Sequence, residues 1–257
     1  MIDSAIKILV LLGLYVGNFF LSYNVERFGF WGSILGTMLV SAGIFWIYKG
    51  PSLKNLGLDA SKRTFILSVS SFLILALGTW LYFRYRSGEL GIIVHSDFFW
   101  KAPGTSGLVP LHIFFQALNE EILYGFLPLI GLKRFSKSPF LLPIGIALIF
   151  SLLHYWMYTI NPMRDFDYDL SLLTLVNLFL VGLVRNALIL TASNVYYSTA
   201  LHYSWNLFFF GLHFSIHNQE LSEPLRFDTF LGHWIPSCIL LFMLVLVAFR
   251  FQKRNVL

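Results

Sequence analysis

Stretches of roughly 20 mostly apolar residues are what a helix needs to cross a hydrocarbon core, and this 257-residue chain has about eight of them. They run Ala5–Tyr23, Gly29–Tyr48, Phe65–Tyr85, Leu108–Leu132, Phe140–Ile160, Leu170–Leu190, Val195–His213 and Phe230–Phe251. Lipid gives the backbone no hydrogen-bonding partner, so the expected fold is all-α: a polytopic bundle forming a single integral-membrane domain, 1–257. Composition agrees, since 57% of residues are hydrophobic, 12% are charged and the mean hydropathy is +0.71. The first stretch follows Lys7 and lacks a small-residue cleavage pattern, so it reads as a retained span. The sixth and seventh nearly touch at Thr191–Asn194, which predicts a tight helical hairpin.

Lys and Arg exceed Asp and Glu by 18 to 13. No basic block or glycine-rich phosphate loop accompanies that excess, so nucleic acid is not an expected partner. The cations should instead mark membrane surfaces. In an eight-span arrangement, 11 of the 18 lie on the side shared by both termini, six lie opposite and Arg185 falls within the sixth span. Both termini are therefore expected in the cytoplasm, with a bacterial-type cytoplasmic membrane as the simplest home. One cysteine, Cys238, excludes an intrachain disulfide and a thiolate metal cluster.

A charge at mid-membrane costs about 2.5–3.5 kcal/mol on insertion scales, so ionisable residues there point to function. Glu120 and Glu121 are adjacent in the middle of the fourth span. His112, Gln116 and Glu120 recur every four residues and form one polar stripe beside Asn119. The fifth span adds His154, one turn after Phe150, and the seventh adds His202 and Asn206, again four apart. Two carboxyls, two imidazoles and an amide on three nearly consecutive spans can supply a general base, its orienting partner and donors to an oxyanion. No Ser–His–acid or Cys–His arrangement is visible, so water is the expected nucleophile.

Read in order, Glu120-Glu121, Phe150-xxx-His154 and His202-xxx-Asn206 resemble the motifs of the CAAX-protease and bacteriocin-processing (CPBP) family of intramembrane glutamic endopeptidases, which includes the Ras-converting prenyl-protein proteases. The resemblance covers Glu120 to Asn206 and implies a catalytic core at about 108–213. The run from Gly182 through Thr191-Ala-Ser-Asn194 into His202 is similar to the family's approach to its second histidine, and Leu56-Gly57-Leu58 resembles a common upstream feature. The resemblance implies that Glu120 activates water, that His154 holds the same water, that Glu121 orients the site and that His202 and Asn206 form an oxyanion hole. It also implies no cofactor and no catalytic metal. The substrate would be a membrane-associated peptide or protein, including lipidated ones.

One position departs from the pattern. The family motif usually continues Glu-Glu-xxx-Arg, and here the arginine position is Gly125, preceded by Tyr124. Arg185, the one cation deep within a span, has two readings: a substitute for that arginine, or a side chain that snorkels to the surface. The missing arginine also supports a non-proteolytic scaffold or immunity-like binding protein on the same fold. A transporter using the acids and histidines as a relay is the third reading, but no internal repeat or paired broken helices accompany it. His213 and His217 continue the His202 face, yet no zincin pattern makes them a metal site, with or without His112 or His233. Gly145, Gly182 and Gly211 are read as points of close helix approach, and Tyr155, Trp156 and Tyr158 as ordinary packing.

Overall fold

The computed structural model describes residues 13, 35–36, 39, 61–90, 109–126, 128–129, 140–155, 171–192, 194–217 and 231–255. Of the first two predicted spans only positions 13, 35, 36 and 39 are described, all helical. The other six predicted spans each contain a helix: α1 (Lys62–Leu90), α2 (Val109–Glu120), α3 (Leu141–Tyr155), α4 (Leu172–Ala192), α5 (Tyr196–His217) and α6 (Trp234–Asn255). A π-helical segment, Glu121–Phe126, continues α2 directly. Strands are absent among the described residues.

The helix starts follow from local chemistry. Ser61 and Ser171 accept backbone N–H bonds from Thr64 (3.1 Å) and Thr174 (3.2 Å), capping α1 and α4. At α6 the capping acceptor is His233 Nδ1, 3.3 Å from the Ile235 N–H. Pro110, Pro143 and Pro236 fall second or third in α2, α3 and α6. The first four N–H groups of a helix have no partner within it, so these prolines forfeit no hydrogen bond. Between α4 and α5 the chain turns within Asn194 and its neighbours. Asn194 accepts from the Tyr196 N–H (3.2 Å) and donates to the Ala192 carbonyl (3.3 Å), which closes the expected hairpin.

Helix α4 packs against α3, α5, α6 and the π segment, while α5 also packs against α1 and α2. Aromatic rings lock the second group: Tyr203 of α5 stacks on Phe72 of α1 at 5.1 Å and meets Phe114 of α2 edge-on at 5.5 Å. The principal apolar cluster surrounds the π segment and joins Ile122, Leu123, Tyr124 and Phe126 to Ile146, Ile189 and Val195. A second cluster, Leu180, Val184 and Leu240, joins α4 to α6.

Polarity is distributed inside out. Asn177, Asn186, Thr174 and Ser151 are buried, whereas Ile74, Leu141 and Phe242 are among many exposed large apolar side chains. Asn177 donates to the Leu231 (2.5 Å) and His233 (3.1 Å) carbonyls and accepts from the Ser237 hydroxyl (2.7 Å), pinning the start of α6 to α4. Asn186 donates to the Pro143 carbonyl (2.8 Å), and Ser151 to the Leu175 carbonyl (2.8 Å), fastening α3 antiparallel along α4. Buried polar groups satisfied across helices, under an apolar exterior, are what a lipid environment selects. Among the described residues, one helix, Leu172–Ala192, is long and apolar enough by itself to cross a membrane. Helices α2 and α5 carry the acids, histidines and amides of the interior, which lowers their own hydropathy.

Of the glycines read as points of close approach, Gly182 behaves so and Gly145 does not. A Cβ on Gly182 would lie 3.0 Å from the Ala147 Cα and Cβ, whereas one on Gly145 would meet nothing within 4 Å among the described residues. The side chains of the Gly211 region lie outside the described residues. Gly182→Val should therefore force α3 away from α4 and lower stability by about 1–3 kcal/mol, as overpacking does. Gly145→Ala should instead raise stability by roughly 0.5–1 kcal/mol by removing a flexible residue from a helix. Thermal unfolding of the two variants in detergent should show opposite shifts.

Candidate active site

The two glutamates sit where the helix changes its winding. Glu120 is the last residue of α2 and Glu121 the first of the π segment, in which hydrogen bonds slacken to i→i+5 and carbonyls tilt out of register. Both carboxyls converge on one imidazole. His202 Nδ1 lies 2.9 Å from Glu121 Oε1, a hydrogen bond between α5 and the π segment. On the other edge of the ring, His202 Nε2 lies 3.6 Å from Glu120 Oε2, longer than a hydrogen bond. Glu120 Oε1 accepts from the Gln116 amide at 3.2 Å, so the predicted stripe from Gln116 to Glu120 exists as a contact. The side chain of His112 lies outside the described residues.

The two carboxyls are shielded, while His202 keeps 15% of its side chain exposed. Glu121 is 1% exposed, Glu120 and Asn119 are buried, and Glu121 Oε2 has no hydrogen-bond partner among the described residues. Asn206, one turn beyond His202, is also buried and continues the same face of α5, but none of its hydrogen bonds among the described residues reaches either glutamate.

His154 is positioned by its own helix. Its Nδ1 lies 2.8 Å from the Phe150 carbonyl and its ring lies 4.3 Å from that of Phe150. A carbonyl only accepts, so Nδ1 carries the proton and Nε2 of the neutral ring presents a lone pair. Phe150, buried at the centre of this face, fixes where that lone pair can point.

Arg185 is 2% exposed, so the snorkelling alternative does not hold. Its Nη2 donates to the Tyr124 carbonyl at 2.8 Å, and Nε and Nη2 both donate to Asn186 Oδ1 at 3.2 Å. The guanidinium carbon stands 4.3 Å above the Phe150 ring. Its charge reaches both Glu120 and His202 electrostatically. Neither Asn186 nor the Tyr124 carbonyl is marked by a motif in the sequence. An amide beside the one deep arginine was a signal for the first; a backbone acceptor has none.

Among the described residues, no three His, Cys, Asp or Glu side chains gather as a metal site would need. His233, weighed above as a third ligand, has its Nδ1 engaged as the cap of α6. The side chains of His213 and His217 lie outside the described residues.

Residues 103–208 match the family model described as Type II CAAX prenyl endopeptidase Rce1-like. No curated protein and no solved structure matches the chain. The matched segment holds Glu120, Glu121, His154 and His202 together with Asn206 and Arg185.

The Glu121–His202 contact should be measurable as a coupling. Removing one partner of a buried pair strands the other, at a cost of about 3–5 kcal/mol. Glu121→Leu and His202→Leu should each lower the unfolding midpoint in detergent, and the double variant should lose clearly less than the sum. Simple additivity would mean that the contact carries no energy.

Proposed function

Since residues 103–208 match the CAAX prenyl endopeptidase family model, we propose that the chain is an intramembrane peptidase hydrolysing a membrane-associated peptide or protein with glutamate-activated water. The family's description makes a prenylated protein the first substrate class to test. The observation that carries the reading is the convergence of Glu120 and Glu121 on His202, at 3.6 and 2.9 Å, in a buried setting.

In this mechanism Glu120 takes a proton from water as the water oxygen bonds to the scissile carbonyl carbon. His154 accepts a hydrogen bond from the same water at Nε2, consistent with its Nδ1 being committed to the Phe150 carbonyl. His202 Nε2 and the Asn206 amide donate to the developing oxyanion, the contribution that preorganised donors make best. Donation from Nε2 requires a proton there. Two inventories provide it: an imidazolium facing an ionised Glu121, or a neutral ring whose Nδ1 accepts from a protonated Glu121. When the carbon–nitrogen bond breaks, the proton held by Glu120 passes to the leaving amine.

The same reading places the chain as one integral-membrane unit, 1–257, of about eight spans with a core near 108–213. Both termini are cytoplasmic in it, and the membrane is of the bacterial cytoplasmic type. It needs no cofactor and no metal.

Gly125 favours a second reading, a CPBP-fold scaffold or immunity-like protein that binds a partner without cutting it. The two separate cleanly. In liposomes, with a quenched-fluorescent peptide carrying a prenylated cysteine four residues from its carboxyl end, Glu120→Gln should reduce kcat by about 10²–10⁴-fold, the contribution of a general base. His154→Ala and His202→Ala should be strongly impaired while still inserting. Cleavage that survives in all three removes the mechanism. No cleavage by the wild type, with Glu120→Gln complementing a deletion strain normally, selects the scaffold.

A further inference from the structure

Arg185 comes from α4, yet it holds groups that belong to the other parts of the site. It holds the carbonyl of Tyr124, within the π segment that begins with Glu121, and it covers the ring of Phe150, which in turn packs on His154. Asn186, which steadies the guanidinium, is itself tied to Pro143 at the start of α3. One planar cation therefore spans the glutamate-bearing segment and the histidine-bearing helix. A fully buried arginine is costly in lipid unless its position is over-determined; here a carbonyl, an amide and an aromatic face determine it.

Gly125 records the other side of this arrangement. A Cβ there would lie 3.3 Å from Arg185 Nε and 2.8 Å from Ile189 Cδ1. The space in front of position 125 is thus occupied by the side chains of Ile189 and Arg185, not open. The guanidinium and a long side chain at 125 compete for one slot.

We infer that Arg185 is the positioning residue of this site, clamping the Glu121-bearing π segment against the Phe150–His154 helix, and that Gly125 is glycine because the guanidinium enters from α4. The inference rests on the peptidase reading for its kinetic consequence but not for its geometry. It makes the arginine transferable. A guanidinium supplied from position 125 should restore the clamp when Arg185 is removed, provided that the end of Ile189 is shortened to admit it.

The test is a cycle in an Ile189→Val background, comparing Gly125→Arg, Arg185→Ala and the pair. Each single change should lower the thermal midpoint in detergent, by crowding two cations into one slot or by emptying it. The pair should recover much of the loss. In ring-¹⁵N-labelled protein, the His202 nitrogen signals should shift in Arg185→Ala and return in the pair. For the prenylated peptide, Arg185→Ala should lower kcat by about 10²-fold, the scale of a misplaced catalytic group, with KM within about threefold, and the pair should recover at least tenfold. Arg185→Lys keeps the charge but not the planar fork, and should stay folded yet cleave slowly. Additive midpoints, with unmoved His202 signals, overturn the inference; recovered midpoints without recovered signals reduce Arg185 to packing and overturn it as well. If the wild type cleaves nothing, the peptidase reading fails while the midpoint and ¹⁵N cycle still decides the clamp.

Discussion

No bulk water reaches the middle of a bilayer, and that constraint organises the interior of this protein. Every polar group placed there has to find its partner within the protein, on its own helix as His154 does or on another. Asn177 answers to α6, Asn186 and Ser151 fasten α3 to α4, and His202 answers to the glutamates of α2 and its π continuation. Many large apolar side chains line the outside, where a soluble protein would place few, while others fill the interior clusters. The hydrogen bonds therefore determine which helices are neighbours, and close packing, as at Gly182 against Ala147, determines how near they come.

The helices themselves were legible from hydropathy because a 20-residue apolar run admits few other structures. Six of the predicted stretches contain helices, and the hairpin at Thr191–Asn194 forms where the shortness of the connection required it. The span count of eight includes two stretches that lie almost wholly outside the described residues. The polar cluster was legible for a related reason: charge in an apolar run is conspicuous. Glu120, Glu121 and His202 meet as their positions suggested, and Gln116 reaches Glu120 at the spacing of one turn.

What could not be read were features whose signal is not periodic. The π segment leaves no mark in the pattern, since widening a helix by one residue does not change which residue types it contains. Gly145 and Gly182 are alike in sequence, and only the path of the neighbouring helix distinguishes the crowded one from the open one. Arg185 had two readings until its surroundings were known. The choice depended on a ring of α3 and a carbonyl of the π segment, 35 and 61 residues away.

The short connection between α4 and α5 has a consequence for how the molecule comes into being. Arg185, Asn186, His202 and Asn206 lie on the two arms of one hairpin. Helix α2 and its π continuation, which carry the two carboxyls, precede that hairpin in the chain. The acidic end of α2 therefore has neither the His202 imidazole nor the Arg185 guanidinium to face until the hairpin has been made. On the peptidase reading, the segment that gives the glutamates their partner is also the one that completes the site.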